Sequence, residues 1–224
     1  KETADGPYGK IRPHGTTKKG SFRRTKAMVL TMATSFEITK IPIPSAKMNG
    51  EASVPSFAEQ PGPRGRDYGT DEYAGLYISY GLVPTPFPYR MQENYSRELY
   101  DNEEDVIILE NEYLRATFFP HYGGKLASLF DKEKGKELLF SNPVIRPCNL
   151  AIRNAWMSGG VEWNCGIFGH HVHTCDTLFC AKTELDDGTP VLRFYEFERI
   201  RRAVVQMDFF LPEGSRFLLS LIHI

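Results

Sequence analysis

The chain has 224 residues, 41% hydrophobic and 25% charged, with a formal net charge of −1. Those values are ordinary for a globular protein and offer no basic surface to a nucleic acid. No apolar run reaches the ~20 residues that cross a bilayer as a helix, and four cysteines (Cys148, Cys165, Cys175, Cys180) do not make a disulfide-dense scaffold, so reduced thiols and a cytoplasmic setting are expected.

The charge is uneven along the chain. Among the first 27 residues, eight Lys/Arg stand against Glu2 and Asp5, which leaves 19 basic and 26 acidic residues elsewhere. Residues 1–31 show no hydrophobic period and are predicted as a disordered or non-native upstream segment, with Met28 or Met32 as the natural start. A basic tail for an acidic partner is the competing reading.

Residues 32–105 read as an extended Pro/Gly-rich lead-in with edge strands. Within it, Pro84, Pro86 and Pro88 cannot donate ladder hydrogen bonds, which assigns that stretch to a sheet edge or a wrapping loop. Tyr77, Tyr80, Phe87, Tyr89 and Tyr95 could stack on sugar rings, although packing on a strand surface accounts for most of them.

The clearest strands begin at Val106. "VIILE" leads through the turn pair Asn111-Glu112 into "YLRATFF", whose Leu114, Ala116 and Phe118 share one face. Gly123-Gly124 can supply positive φ in the next turn. "KLASLFD" then alternates Leu126, Ser128 and Phe130 against Ala127 and Leu129, and "LLF" is the following short strand. "PVLRFYEFERI" alternates Leu192, Phe194 and Glu196 against Arg193, Tyr195, Phe197 and Arg199, "AVVQMDFFL" follows, and a last strand begins at Arg216. No segment reads as a long amphipathic helix. Many short strands with short connections predict an all-β, antiparallel sandwich.

"VIILENEYLRATFFPHYGGKLASLFDKEKGKELLFSNPVIRP", "AWMSGGVEWN" and the His-rich segment after them resemble the DUF5107 domain family over roughly Ile38 to Leu218. That resemblance implies a galactose-mutarotase-like β-supersandwich, which often precedes tetratricopeptide repeats in bacterial proteins. It also implies a carbohydrate ligand, with no membrane or cofactor. Residues 106–218 would be the first part of the sandwich, incomplete at the C-terminus. The last six residues, 219–224, resemble the translation of a transposon end used in sequencing libraries, so the natural chain is expected to continue past residue 218.

The chemistry concentrates in "SGGVEWNCGIFGHHVHTCD", residues 158–176. Glu162 lies between apolar Val161 and Trp163, so alternation turns it away from them together with Asn164. It matches the family's Gly-Gly-hydrophobe-Glu-aromatic-Asn pattern, and His170 and His171 fall where that pattern has its His. These three are the candidate catalytic residues, as a carboxylate and an imidazole able to exchange protons near neutral pH. Trp163 as a stacking platform, Asn164, Asp176 and Arg90 are the candidate substrate contacts, with Arg153 and Thr174 as weaker ones. The reaction is open between epimerisation and glycosidic cleavage, and a non-catalytic glycan- or protein-binding scaffold is the alternative. Zinc at His171, His173 and Cys175 is a distant rival. Those residues share one side only if the segment is an extended strand, and the tight ligand spacings of structural zinc modules are missing.

Overall fold

In a computed structural model of the chain, residues 33–55, 57, 85–165 and 169–223 are described. They lie within the second of the two units into which the chain divides, Thr31–Ile224. Five strands form one antiparallel sheet: β1 (Ser35–Pro42), β4 (Glu103–Glu110), β5 (Leu114–Phe119), β6 (Lys125–Asp131) and β7 (Lys136–Glu137), in that spatial order. A second antiparallel sheet has the order β11-β10-β9-β8, from β8 (Phe179–Glu184), β9 (Pro190–Glu198), β10 (Ala203–Phe210) and β11 (Leu219–His223). A two-stranded ribbon pairs β2 (Ser45–Met48) with β3 (Tyr95–Tyr100). None of the described residues is in a helix. The fold is an all-β sandwich, as the strand periodicity predicts.

Strand alternation decides how the sheets meet. Ile107, Leu109, Leu114, Ala116, Phe118 and Leu126 leave one face of the five-stranded sheet and pack on Leu192, Phe194, Val205, Met207 and Phe209 of the four-stranded sheet. The Phe118 ring lies 4.9 Å from Phe209 and 6.1 Å from Phe194, centroid to centroid, distances typical of favourable aromatic pairs. The opposite face of the five-stranded sheet carries Val106, Ile108, Phe119 and Ala127, and these pack beneath Ile43, Ile145, Ala155, Met157 and Cys175. The larger sheet is therefore covered on both sides. The smaller one leaves Phe179, Tyr195, Phe197 and Val204 exposed on its outer face.

Asn111 closes the β4–β5 turn. Its side-chain oxygen accepts from the N–H groups of Tyr113 and Leu114, and its amide donates to the Pro212 and Ser215 carbonyls, which ties this turn to the loop after β10. Gly123 and Gly124 have φ of 66° and 65°, as the turn requires. A Cβ on Gly124 would also lie 2.8 Å from the Phe194 ring.

Three sequence expectations need correction. The simple alternation through "KLASLFD" breaks at a β-bulge, because Phe118 pairs with Leu126 while Thr117 pairs with Ser128. The extra residue, Ala127, shifts the phase. Leu126 and Leu129 thus pack on the inter-sheet core, whereas Ala127, Ser128 and Phe130 line the other side. Secondly, the pairing partner of β6 is Lys136–Glu137 rather than "LLF", and Leu138 and Phe140 are exposed beyond it. Thirdly, the last strand starts at Leu219, three residues later than predicted, with all five of its residues exposed. Tyr77, Tyr80 and Pro84 lie outside the described residues.

Candidate functional site

The connection from β7 to β8 holds most of the candidate residues, and it is irregular throughout the described part. Gly159 and Gly160, at φ of 94° and 65°, bring it against the edge of β6. There Val161 and Leu126 exchange hydrogen bonds, Val161 N–H to Leu126 O at 2.9 Å and Leu126 N–H to Val161 O at 3.2 Å. Val161 and Trp163 pack on the inter-sheet core, which turns Glu162 to the opposite side, as its position between two apolar residues predicts.

The Glu162 carboxylate accepts a hydrogen bond from the Trp156 indole N–H at 2.6 Å. His170 Nδ1 lies 3.0 and 3.2 Å from its two oxygens. The Glu162 side chain is 14% exposed and that of His170 37%. The carboxylate accepts in this contact, so Nδ1 carries the proton, and Nε2 is left for another group. The His170 ring also leans on Trp156, with centroids 5.2 Å apart. Glu162, His170 and Trp156 are thus a carboxylate–imidazole pair beside an indole, at a position solvent can reach.

The other candidates divide between support and a second cluster. Trp163 is not beside the carboxylate: its N–H donates to Gly124 O at 3.0 Å and its ring stacks 4.8 Å from Phe209, so Trp156 occupies the place expected of it. Asn164 accepts from the His171 N–H at 3.0 Å and holds the turn. His171 is buried, and burial pushes its pKa down to about 3, so its ring stays neutral near pH 7. Of the His170–His171 pair, only His170 touches Glu162.

Asp176 belongs to the second cluster. Its carboxylate accepts from Gln92 at 2.5 Å, Arg153 at 2.6 Å and His173 Nδ1 at 2.8 Å. Burial alone would raise its pKa, but the His173 hydrogen bond and the Arg153 charge hold it below the usual carboxylate range. Arg153 is fully buried. It also donates to the Arg90 and Val172 carbonyls and pairs with Glu51, which in turn binds Arg90 at 2.6 Å. His173 Nε2 meets the buried Tyr89 hydroxyl at 3.2 Å. Arg90, Tyr89, His173, Asp176 and Glu196 face an open cleft of about 290 Å³. Arg90 and Asp176 are therefore joined to each other through Glu51 and Arg153, while Glu162 and His170 form a separate pair.

The strand geometry behind the zinc reading does not occur. Residues 172–175 form turns, both ring nitrogens of His173 are engaged, and Cys175 packs in the second core. Among the described residues no group of three His, Cys, Asp or Glu is placed to hold a metal ion. Sequence reasoning missed Trp156 and gave Arg153 little weight. Both sit in backbone without a period, and only the proximity of aromatic and charged residues to "SGGVEWN" marked them.

A two-sheet antiparallel sandwich with a carboxylate–imidazole pair on the connection between β7 and β8 is the class these observations define. The family model for a domain of unknown function, DUF5107, matches residues 83–220, and the chain belongs to that family. The fold is also similar to the crystal structure of a TPR-domain containing protein from Parabacteroides distasonis ATCC 8503. The TM-score is 0.63 at 18% identity, over 86% of this chain and 29% of that one. The chain thus spans less than a third of that protein's length.

Proposed function

We propose that this domain engages a carbohydrate at the Glu162–His170 pair. The observation that carries the reading is the Glu162 carboxylate, fixed by the Trp156 N–H at 2.6 Å and by His170 at 3.0 Å. A carboxylate accepts hydroxyl hydrogens, His170 Nε2 offers a second hydrogen-bonding group to the same ligand, and the Trp156 ring supplies an apolar surface for the C–H face of a sugar. If bonds break, the imidazole is the group that moves the proton and Glu162 keeps its tautomer and orientation. Epimerisation and glycosidic cleavage both fit that division of labour. The four free thiols accord with a reducing cytoplasmic setting; separately, no helix among the described residues is long and apolar enough to cross a membrane.

The test is an NMR screen of monosaccharides and oligosaccharides, following anomeric protons with time. Acceleration of anomer exchange or release of sugar, reduced at least tenfold in Glu162→Gln, is the expected result. No perturbation of any sugar signal, or the same turnover in Glu162→Gln, would remove the proposal. Binding without product selects a second reading, favoured by the likeness to a TPR-domain protein: a glycan-recognition module of a longer chain with helical repeats.

A further inference from the structure

A second cavity lies elsewhere, on the face of the five-stranded sheet that looks away from its partner sheet. It measures about 580 Å³, within the range of small-molecule sites. The phase shift at the Ala127 bulge builds it, by turning Ser128 and Phe130 of β6 to the same side as Thr117 of β5 and Thr39 of β1. Asn142 and Ser158 close the far wall, where the Asn142 amide lies 3.3 Å from the Ser158 hydroxyl.

Lys125 stands among these lining residues with only 2% of its surface exposed. Its ammonium donates to Gly159 O at 3.0 Å, the only acceptor it has among the described residues. The other cations near the cleft are already matched, Arg115 by Glu110 at 2.8 Å and Lys40 by Asp105 at 3.4 Å. Among the described residues Lys125 has no ion-pair partner, and Glu162 is the carboxylate whose field reaches it. Glu37, exposed at the rim, is the one acid among the lining residues. A buried ammonium with one hydrogen bond is costly unless an anion joins it. One unmatched charge calls for a monoanion rather than a phosphate dianion, and the surrounding hydroxyls and amide call for a hydroxylated carrier. The half-buried Phe130 ring presents an apolar wall to that carrier.

We infer that this cleft is a binding site for a sugar acid, whose carboxylate pairs with the Lys125 ammonium and whose hydroxyls meet Thr39, Thr117 and Asn142. Burial lowers the pKa of Lys125, and a carboxylate bound beside it favours the charged form. The inference shares with the Glu162–His170 reading only the hydroxylated nature of the ligand, and it uses a different cavity.

The experiment is calorimetric titration of the chain with D-glucuronate, D-galacturonate, D-glucose, D-glucose 6-phosphate and acetate. A uronate is expected to bind at least tenfold more tightly than glucose or acetate. Lys125→Met should erase that preference, and Glu162→Gln should keep it. Thr39→Trp, on an edge strand and remote from the ammonium, should fill the cleft and abolish uronate binding at an unchanged melting temperature, which decides the matter even if Lys125→Met does not fold. Equal affinity for glucuronate and glucose, acetate as tight as the uronates, or a preference for the phosphate ester overturns the inference. Uronate binding that survives Thr39→Trp does so too. Loss of the preference in Glu162→Gln with Thr39→Trp unaffected would instead assign the uronate to the other site.

Discussion

Replacing Gly160 by Ala tests whether the seam between the β7–β8 connection and β6 is what positions Glu162. Gly160 sits at φ +65°, a region that costs an L-residue ~1–2 kcal/mol. A Cβ there would fall 2.2 Å from Leu126 O and 3.0 Å from Ala127 Cα, so the two backbones must separate. Separation weakens the two Val161–Leu126 hydrogen bonds, each with a net value of ~0.5–1.5 kcal/mol. Together these terms come to about 3 kcal/mol. For a domain of this size each kcal/mol moves the melting temperature by ~2–4 °C, so Gly160→Ala should melt about 10 °C lower than the parent. Gly135→Ala is the matched control: its φ is +62°, but nothing lies within 4 Å of the added Cβ, so only the ~1–2 kcal/mol of backbone strain remains and it should lose about 5 °C. Thermal melts followed by tryptophan fluorescence measure both, and the Trp156 indole N–H resonance should shift in Gly160→Ala alone. Equal melting of the two variants, or an unmoved indole signal in Gly160→Ala, would refute the seam.

Two further predictions concern the buried charges. Arg153→Met removes the guanidinium from Asp176 and Glu51 and leaves Asp176 buried with its remaining donors, which should cost ~3–5 kcal/mol by urea denaturation. A loss below 1 kcal/mol would mean that Gln92 and His173 suffice. His171 predicts acid sensitivity: its folded pKa of about 3 lies below the ordinary histidine value of 6.5, so the unfolded chain takes up the proton first. Its contribution is complete above pH 6.5 and declines as pH falls toward 3, by ~2 kcal/mol at pH 5. Asp176, with its depressed pKa, is lost only at lower pH, so the drop in urea midpoint between pH 7.5 and pH 5 reports on His171. It should flatten in His171→Phe, and an unchanged drop in that variant would assign the effect elsewhere.

Period-two alternation was enough to place the core. Leu114, Ala116, Phe118, Leu192 and Phe194 were expected on inward faces, and all are buried at 4% exposure or less. The same rule failed at Ala127, because a bulge is a register event between two strands and one strand's pattern cannot reveal it. Glu162 was expected to share a cavity with His170 or His171 across a short span, and of the two it is His170 that lies 3.0 Å from it. Trp163 was expected as a stacking platform near Glu162, yet its ring packs on Phe209 and the indole that reaches the carboxylate is Trp156, which comes from a different turn that one segment's pattern does not show. Lys125 gave no signal at all. A lysine after a Gly-Gly pair reads as a solvated turn residue, and only the three-dimensional cover from Gly159 shows it to be buried.

The density of His, Glu, Asp and Cys in residues 158–176 follows from what an irregular connection must do between two cores. Strands satisfy their backbone groups with one another, but this segment lacks a ladder, so side chains take over. Asn164 holds the His171 N–H, Asp176 gathers Arg153, Gln92 and His173, and Arg153 caps the Arg90 and Val172 carbonyls. Most of the polar residues here are therefore spent on holding the chain. Glu162 differs from Asp176 in what it holds: Asp176 anchors the buried Arg153, which caps two carbonyls, whereas Glu162 contacts the Trp156 indole and a partly exposed His170. A carboxylate that supports no turn and keeps an imidazole aimed at solvent is the member of the cluster whose removal should leave the fold in place, and that is why Glu162→Gln is the variant that separates function from stability.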